Sequence, residues 1–448
     1  MALGPKILDR KLRLALVQRQ REGRLIQPAS PSEVQGTIDF GSNDTLSLSS
    51  SGALSGAFLH QLENHPDFTV GSSSTRVFEG TRQYLEDIER DLAIFYKAEN
   101  AMVFGSGFDA NVAIWSVISQ PGDIVIFDEL MHACARQGMK NGRAKAVPFV
   151  HNDCASLRNC LENARERNRG ITEGKQVVFI CFESVYSMDG DEAPIHEIIK
   201  IASESLPLGN YVLVIDEAHS NGLVGPNGSG LIRQYGLEEK FTIRVQTCGK
   251  ALGASGGEVL ASSATQPAKI PEGVVLCNNT IKQTLLNYPG NVIFTTAPSF
   301  VTVAAIRAAY ELLASEGGDR RRAQLQHNIE FTYWTLTNHP QWEQAKDRGI
   351  IRLPTETGWH SRAFRSAIFA LVTQPGKARS LAKPLQQAKF WVNAVEFPIV
   401  PRNLDRMRLM IHADNTEEQI SAVVQLIMRW AMGQMESETM NSDRMARL

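Results

Sequence analysis

The sequence predicts an α/β protein: a mainly parallel sheet with helices on both faces, followed by a smaller C-terminal α+β domain. Three observations predict it. From about residue 85 to 260, short β-rich runs alternate with helical ones. The β-rich runs are continuously apolar, as strands buried on both faces are. After about residue 300 the alternation stops, and long helical stretches enclose two short apolar runs.

Taken in order, Met1 to Gly23 mixes basic and apolar residues at helical spacing. Acidic Asp9 and Glu22, and the lack of an apolar core, argue against a signal or transit peptide. Ala101-Met-Val-Phe104 reads as a strand entering the turn Gly105-Ser-Gly107, with a helical run from Ala110. Asp123 to Phe127, Val177 to Cys181 and Tyr211 to Ile215 read as buried strands. Ile195 to Ser205, between the last two, is apolar at helical spacing. Thr265 to Asn291 reads as a large loop or insertion. Val301 to Ser315 is a helical run, and Ala367 to Val372 and Met407 to Ile411 are short strands. A final helix, Thr416 to Met432, precedes a polar tail. The expected division is an N-terminal segment 1–45, a large α/β domain 46–300 and a small domain 301–448. A chain of 448 residues is long enough for two or three domains with real cores.

Composition removes several classes. With 43% hydrophobic and 21% charged residues, disorder and collagen-like repeats are excluded. Lys and Arg number 46 against 48 Asp and Glu, for a net charge of −2. A nucleic-acid binder needs a basic excess to displace counterions, so none is expected. No apolar run reaches the ~18 residues of a membrane span. Cysteines at 134, 154, 160, 181, 248 and 277 form no CxxC pair and no zinc spacing with His. No metal is expected, and the thiols read as reduced, in an intracellular compartment. The chain ends Ala446-Arg447-Leu448, which resembles the SKL class of peroxisomal address. That predicts a peroxisomal location in a eukaryote, and otherwise the cytoplasm.

Parallel sheets collect ligands at the carboxyl ends of their strands. Here those ends are Gly105-Ser-Gly107, Asp128 to His132, Glu183 to Asp191 and Asp216 to His219. All are polar, Gly-rich or His-bearing. Asp216-Glu-Ala-His219 is also spelled in one helicase class, but that reading needs a GxxxxGK[ST] phosphate loop. Gly174-Lys175 and Gly249-Lys250 do not fit it. Thr247 to Gly257 instead places Lys250 among small residues, which leave room for a flat group beside the amine. A Schiff-base lysine needs such a setting. Asp216 and His219 lie 34 and 31 residues upstream. A buried Asp under a pyridine nitrogen keeps that ring an electron sink. Together these residues suggest pyridoxal 5′-phosphate (PLP).

At this point the chain resembles the α-oxoamine synthases, fold-type-I PLP enzymes, from about Asp39 to Thr416. The matching stretches stand in family order: Ser42-Asn-Asp44, Gly71 to Gly80, Phe104 to Asn111, Asp128 to Ala133 and His151-Asn-Asp153. They continue with Ser187 to Asp191, Asp216 to His219, Gly222 to Gly228, Thr247 to Gly257, Ile293 to Thr296 and Arg406-Met-Arg408. The resemblance implies an aspartate-aminotransferase-like fold with a seven-stranded sheet. It implies catalytic roles for Lys250, His132, Asp216 and His219. Lys250 carries the cofactor and moves the α-proton, and Asp216 pairs with the ring nitrogen. His219 lies near the ring hydroxyl, and His132 stacks on the ring. The backbone of Gly107 and Phe108, with Thr247, holds the phosphate, and Thr295 or Thr296 adds to it from the neighbouring subunit. Ser187 lies by the ring. Arg408 with Asn43 grips the amino-acid carboxylate, although Arg406 is a rival from the residues alone.

The implied reaction condenses a small amino acid with an acyl-CoA, releasing CoA and CO2 from a homodimer whose sites lie at the subunit interface. No membrane or nucleic-acid partner is implied. The first reading joins L-alanine to pimeloyl-CoA for biotin synthesis, and a peroxisomal source of a dicarboxylyl-CoA would fit it. The alternative is a stand-alone synthase that releases a polyketide or fatty acyl chain with alanine, serine or glycine. Phe108-Asp109 resembles the glycine C-acetyltransferase subgroup. The serine palmitoyltransferase and 5-aminolevulinate synthase readings rank lower, for want of a membrane helix and a transit segment. Outside the class stand a PLP aminotransferase and an inactive partner subunit. Departures from the family pattern are Thr45 and Ser47 for Tyr and Gly, Ser73 and Ser74 for Gly, and Leu85 and Asn415 for His.

Overall fold

The computed structural model describes residues 3–22, 24–25, 28–254, 273–362 and 364–445. A short strand, β1 (Ile38–Asp39), precedes the central sheet. That sheet holds β2 (Asn100–Phe104), β3 (Ile124–Asp128), β4 (Lys145–Phe149), β5 (Val178–Glu183), β6 (Tyr211–Asp216), β7 (Ile243–Thr247) and β8 (Gly273–Cys277). Their order is β2-β8-β7-β6-β5-β3-β4. Only β8 pairs antiparallel with its neighbours, and the other ladders are parallel.

Alternation explains the unbroken apolar runs. In β5, Val178, Ile180 and Phe182 join one hydrophobic cluster, while Phe179 and Cys181 join a second. Both faces are covered, so every position must be apolar. Besides β8, two strands of the central sheet escaped sequence reading for opposite reasons. β4 is an edge strand with exposed Lys145 and Pro148. β7 is fully buried yet carries Arg244 and Gln246. Arg244 Nη2 donates to Tyr96 O at 2.9 Å, and Gln246 Nε2 to Glu217 Oε2 at 2.7 Å.

The expected loop at Thr265 to Asn291 is corrected from residue 273 onward. Gly273–Cys277 is β8, and the helices Asn279–Asn287 and Gly290–Ile293 follow. Pairing between β2 and β7 stabilises this five-residue run as a strand. Residues 265–272 lie outside the described residues, as do Ser255 to Gly257 of the lysine motif and Ala446-Arg447-Leu448.

The C-terminal part contains β9 (Ile351–Arg352), β10 (Ile368–Thr373), β11 (Phe390–Trp391), β12 (Asn393–Val395) and β13 (Arg406–Met410). Four of them form an antiparallel sheet in the order β12-β13-β10-β9. β1 pairs with β11, and Met410 N donates to Phe40 O at 2.8 Å. The N-terminal segment from Ile38 on is thus stitched to the C-terminal sheet, and this brings Asn43 beside β13. The last helix, Glu417–Met445, runs well past Met432 through the polar tail. The first helix, Leu3–Arg21, buries none of its residues. Among the described residues, no helix is long and apolar enough to cross a membrane.

Candidate active site

The turn after β2 delivers the first part of the site. Ser106 caps the helix Gly107–Val117, its hydroxyl accepting from Asp109 N at 2.8 Å. The amides at such an end, and the helix dipole, favour an anion. Space there is reserved by glycine. A Cβ on Gly107 would stand 2.9 Å from Thr247 Oγ1, and one on Gly273 only 2.5 Å from Gly107 Cα. The ends of β2 and β7 and the start of β8 therefore meet with no room for another side chain.

Asp216 ends β6 and is buried. Its carboxylate accepts from Asn111 Nδ2 at 2.9 Å and from Ala218 N at 3.0 Å. Lys250 follows β7, and burial lowers its pKa against the pull of Asp216 and Glu183. His219 is held neutral by burial first, then by Lys250 and Arg408. Burial, then Lys250, also lowers the pKa of His132. Asn43, Thr45, His219, Lys250, Ile368 and Met410 line a small shared cavity.

The two arginines of β13 differ sharply. Arg406 forms an ion pair with Asp189 and donates to Met188 O at 3.4 Å. Arg408 donates to Asn43 Oδ1 at 3.0 Å, and its Nε is buried without a partner. Among the described residues no carboxylate pairs with Arg408, and burial pushes its pKa down to about 10. Arg406 is therefore structural, and Arg408 is a buried cation without an anion among the described residues.

The structure thus brings together Gly107, Thr247, Asp216, His219, Lys250, His132, Asn43 and Arg408. Phe108 follows Gly107 with its ring exposed, so only its backbone can serve the turn. Ser187 is half-buried in the loop after β5. That loop is tied down by Asp189 to Arg406 and by Asp191 to His151 Nε2 at 2.9 Å. His151 Nδ1 in turn meets Asp128 Oδ1 at 2.9 Å. Thr295 and Thr296 are exposed, on a segment pinned to the same chain by Ala297 N to Ser74 O at 2.9 Å. They line a groove of about 500 Å³ that also reaches Gly105 and Asp109.

Sequence reading missed Glu183, Asn111 and Gly273. Glu183 lies opposite Asp216 in the ladder, and burial, then Asp216, pushes its pKa up to about 8. It ends an apolar strand as Asp216 does, which was a usable signal. Asn111, one helical turn from Gly107, stood only as the end of a matching stretch, and Gly273 carries no signal apart from the fold.

The family described as aminotransferase class I and II matches residues 35–427. An aminoacyl transferase, sphA, of Aspergillus fumigatus is 38% identical, covering 94% of this chain and 88% of that protein. An 8-amino-7-oxononanoate synthase of Emericella nidulans is 37% identical over 96% of this chain and 97% of its own. A solved structure described as SPT with PLP is 26% identical with a TM-score of 0.72, covering 89% of this chain and 88% of that one.

Proposed function

The chain belongs to the class I and II aminotransferase family and is a PLP enzyme of the α-oxoamine synthases; from that premise we propose that it condenses a small amino acid with an acyl-CoA, releasing CoA and CO2. PLP supplies a carbonyl for the amine and a ring that accepts electrons from the α-carbon. The donor set fits it: a glycine-walled helix N-terminus with Thr247, a buried carboxylate at Asp216, and a buried amine at Lys250.

The remaining steps fall to the chain's own side chains. The amides of Gly107 and Phe108, with Thr247, hold the phosphate. Asp216, oriented by Asn111 and Ala218, would keep the ring nitrogen protonated. His132 would stack on the ring, Ser187 would lie beside it, and His219 would serve its hydroxyl. Lys250, its pKa lowered, is the base that takes the α-proton. Arg408 and Asn43 grip the amino-acid carboxylate. The single observation that carries this reading is Arg408, buried and with no carboxylate partner among the described residues, bound to Asn43 of the pocket that Lys250 lines and near enough to Lys250 to help lower its pKa.

For substrates, L-alanine and pimeloyl-CoA come first, supported by the similarity to the Emericella enzyme over nearly its full length. Release of a polyketide or fatty acyl chain is the second reading, supported by the similarity to sphA. Thiol release from pimeloyl-CoA, palmitoyl-CoA and acetyl-CoA, each with alanine, serine or glycine, separates them, with Lys250→Ala as control. Alanine-dependent release from pimeloyl-CoA alone supports the first reading, and release only from the long chain replaces it. Pyruvate from alanine without any acyl donor would identify an aminotransferase.

A homodimer is part of the reading. Val70, Val77, Phe78 and Phe294 are exposed on the two segments joined by the Thr75–Thr296 bridge, beside the groove that holds Thr295 and Thr296. A second copy would cover this apolar surface and let a threonine reach the partner's phosphate. Sedimentation of Phe294→Glu tests this, since a still-dimeric variant would remove the surface from consideration. The peroxisomal reading rests on Ala446-Arg447-Leu448, and a fluorescent reporter carrying that tripeptide tests it. Diffuse fluorescence would discard it.

A further inference from the structure

His132 is an unusual helix cap. Ser, Thr, Asp and Asn dominate that position, yet here an imidazole starts the helix Ala133–Asn141. Nδ1 accepts from the backbone N–H of Cys134 at 3.3 Å. The Cys134 thiol lies 2.9 Å from the same nitrogen. On the other side, His132 N donates to Glu183 Oε1 at 2.6 Å, which anchors the residue to the end of β5. Among the described residues, nothing in the chain accepts from Nε2.

A backbone amide can only donate. A proton on Nδ1 would face that N–H directly, donor against donor, with only a thiol sulfur as a weak acceptor. The neutral imidazole has one proton, and the nitrogen that must accept cannot carry it. Imidazolium would need the same blocked proton. Burial and Lys250 disfavour it further. Burial pushes the Cys134 thiol up to about 12, so near neutral pH the sulfur keeps its proton and is a second donor.

We propose that Cys134 is a positioning residue that fixes His132 as the neutral Nε2–H tautomer. Its amide sets the tautomer and its thiol strengthens it. His132 then offers the pocket a hydrogen-bond donor and never a basic nitrogen. The tautomer stands on these contacts alone, while its use toward bound substrate rests on the condensing-enzyme reading.

The test is ¹⁵N NMR of the PLP-loaded enzyme labelled in its histidine rings, with His132→Gln to assign the signal. Nδ1 is expected to be pyridine-like and Nε2 pyrrole-like from pH 6 to 8. A protonated Nδ1, alone or in imidazolium, would overturn the proposal. Cys134→Ala keeps the amide and is expected to keep the tautomer, whereas a switch to Nδ1–H would overturn the amide's part. Cys134→Pro removes both donors in a helical first turn, where proline is tolerated. It is expected to mix the two tautomers, and an unchanged spectrum would overturn the proposal. Should that variant not fold, the wild-type assignment still decides. Because the spectrum needs no turnover, a wrong substrate assignment leaves this test intact.

Discussion

Arg408→Met should make the folded protein more stable and the enzyme far worse. Burial alone pushes the Arg408 pKa from 12.5 down to about 10. At ~1.36 kcal/mol per pKa unit, keeping that cation charged at neutral pH costs about 3 kcal/mol. The sign follows from the direction: the pKa is depressed in a cation, so the cost is present at neutral pH and fades above about pH 10. Methionine fills a similar volume and removes the charge. It also gives up the hydrogen bond to Asn43, worth about 1 kcal/mol. The net expectation is a gain of about 2 kcal/mol in urea unfolding. Catalysis moves the other way. Two charge-assisted bonds to a carboxylate, each ~1.5–3 kcal/mol, are lost, so kcat/KM for the amino acid falls by roughly two to four orders of magnitude. Arg406→Met is the contrast: it strands half-buried Asp189 and should cost ~1–3 kcal/mol of stability. Loss of stability in Arg408→Met, or kcat/KM within threefold of wild type, would refute the reasoning.

Further expectations concern the backbone and the charges around the pocket. Gly273→Ala drives a methyl group to 2.5 Å from Gly107 Cα, and should cost about 1–3 kcal/mol while weakening PLP retention on dialysis. Ser73 has φ of 59°, a left-handed conformation costing ~1–2 kcal/mol for an L-residue. Ser73→Gly should therefore gain up to about 1 kcal/mol by denaturant titration, after glycine's greater unfolded entropy is subtracted. Burial lowers the His151 pKa, but Asp128 and Asp191 outweigh it and push it up to about 10. The stabilisation is full below the ordinary value of 6.5 and is lost as pH rises through about 10. His151→Gln should flatten that alkaline fall in melting temperature, and an unchanged profile would assign the fall to other groups.

Much of this was legible in the sequence because it is local. Continuous apolar runs exposed the parallel sheet, since a strand covered on both faces cannot afford a polar residue without a partner. The same logic hid β7, whose Arg244 and Gln246 find their partners at Tyr96 and Glu217, far away in the chain. Lys250, Asp216 and His132 announced themselves as reactive side chains at strand ends. Their roles as a set came from the order of motifs, a resemblance rather than a derivation.

What only the tertiary structure decided was pairing. Arg406 and Arg408 lie two residues apart and point to the same face of a strand. Nothing local says which is neutralised, and the answer lies with Asp189 and Asn43, more than 200 residues upstream. Glu183 became part of the site through register, which sets it opposite Asp216. Gly273 became part of it because β8 alone runs backward and starts against Gly107. The sequence by itself determined which residues could do chemistry and which segments were buried, because composition and periodicity are local properties. Which groups are free, which are paired and where a charge stays unbalanced were decided by long-range packing, because burial and partners are what set the energy of a charge.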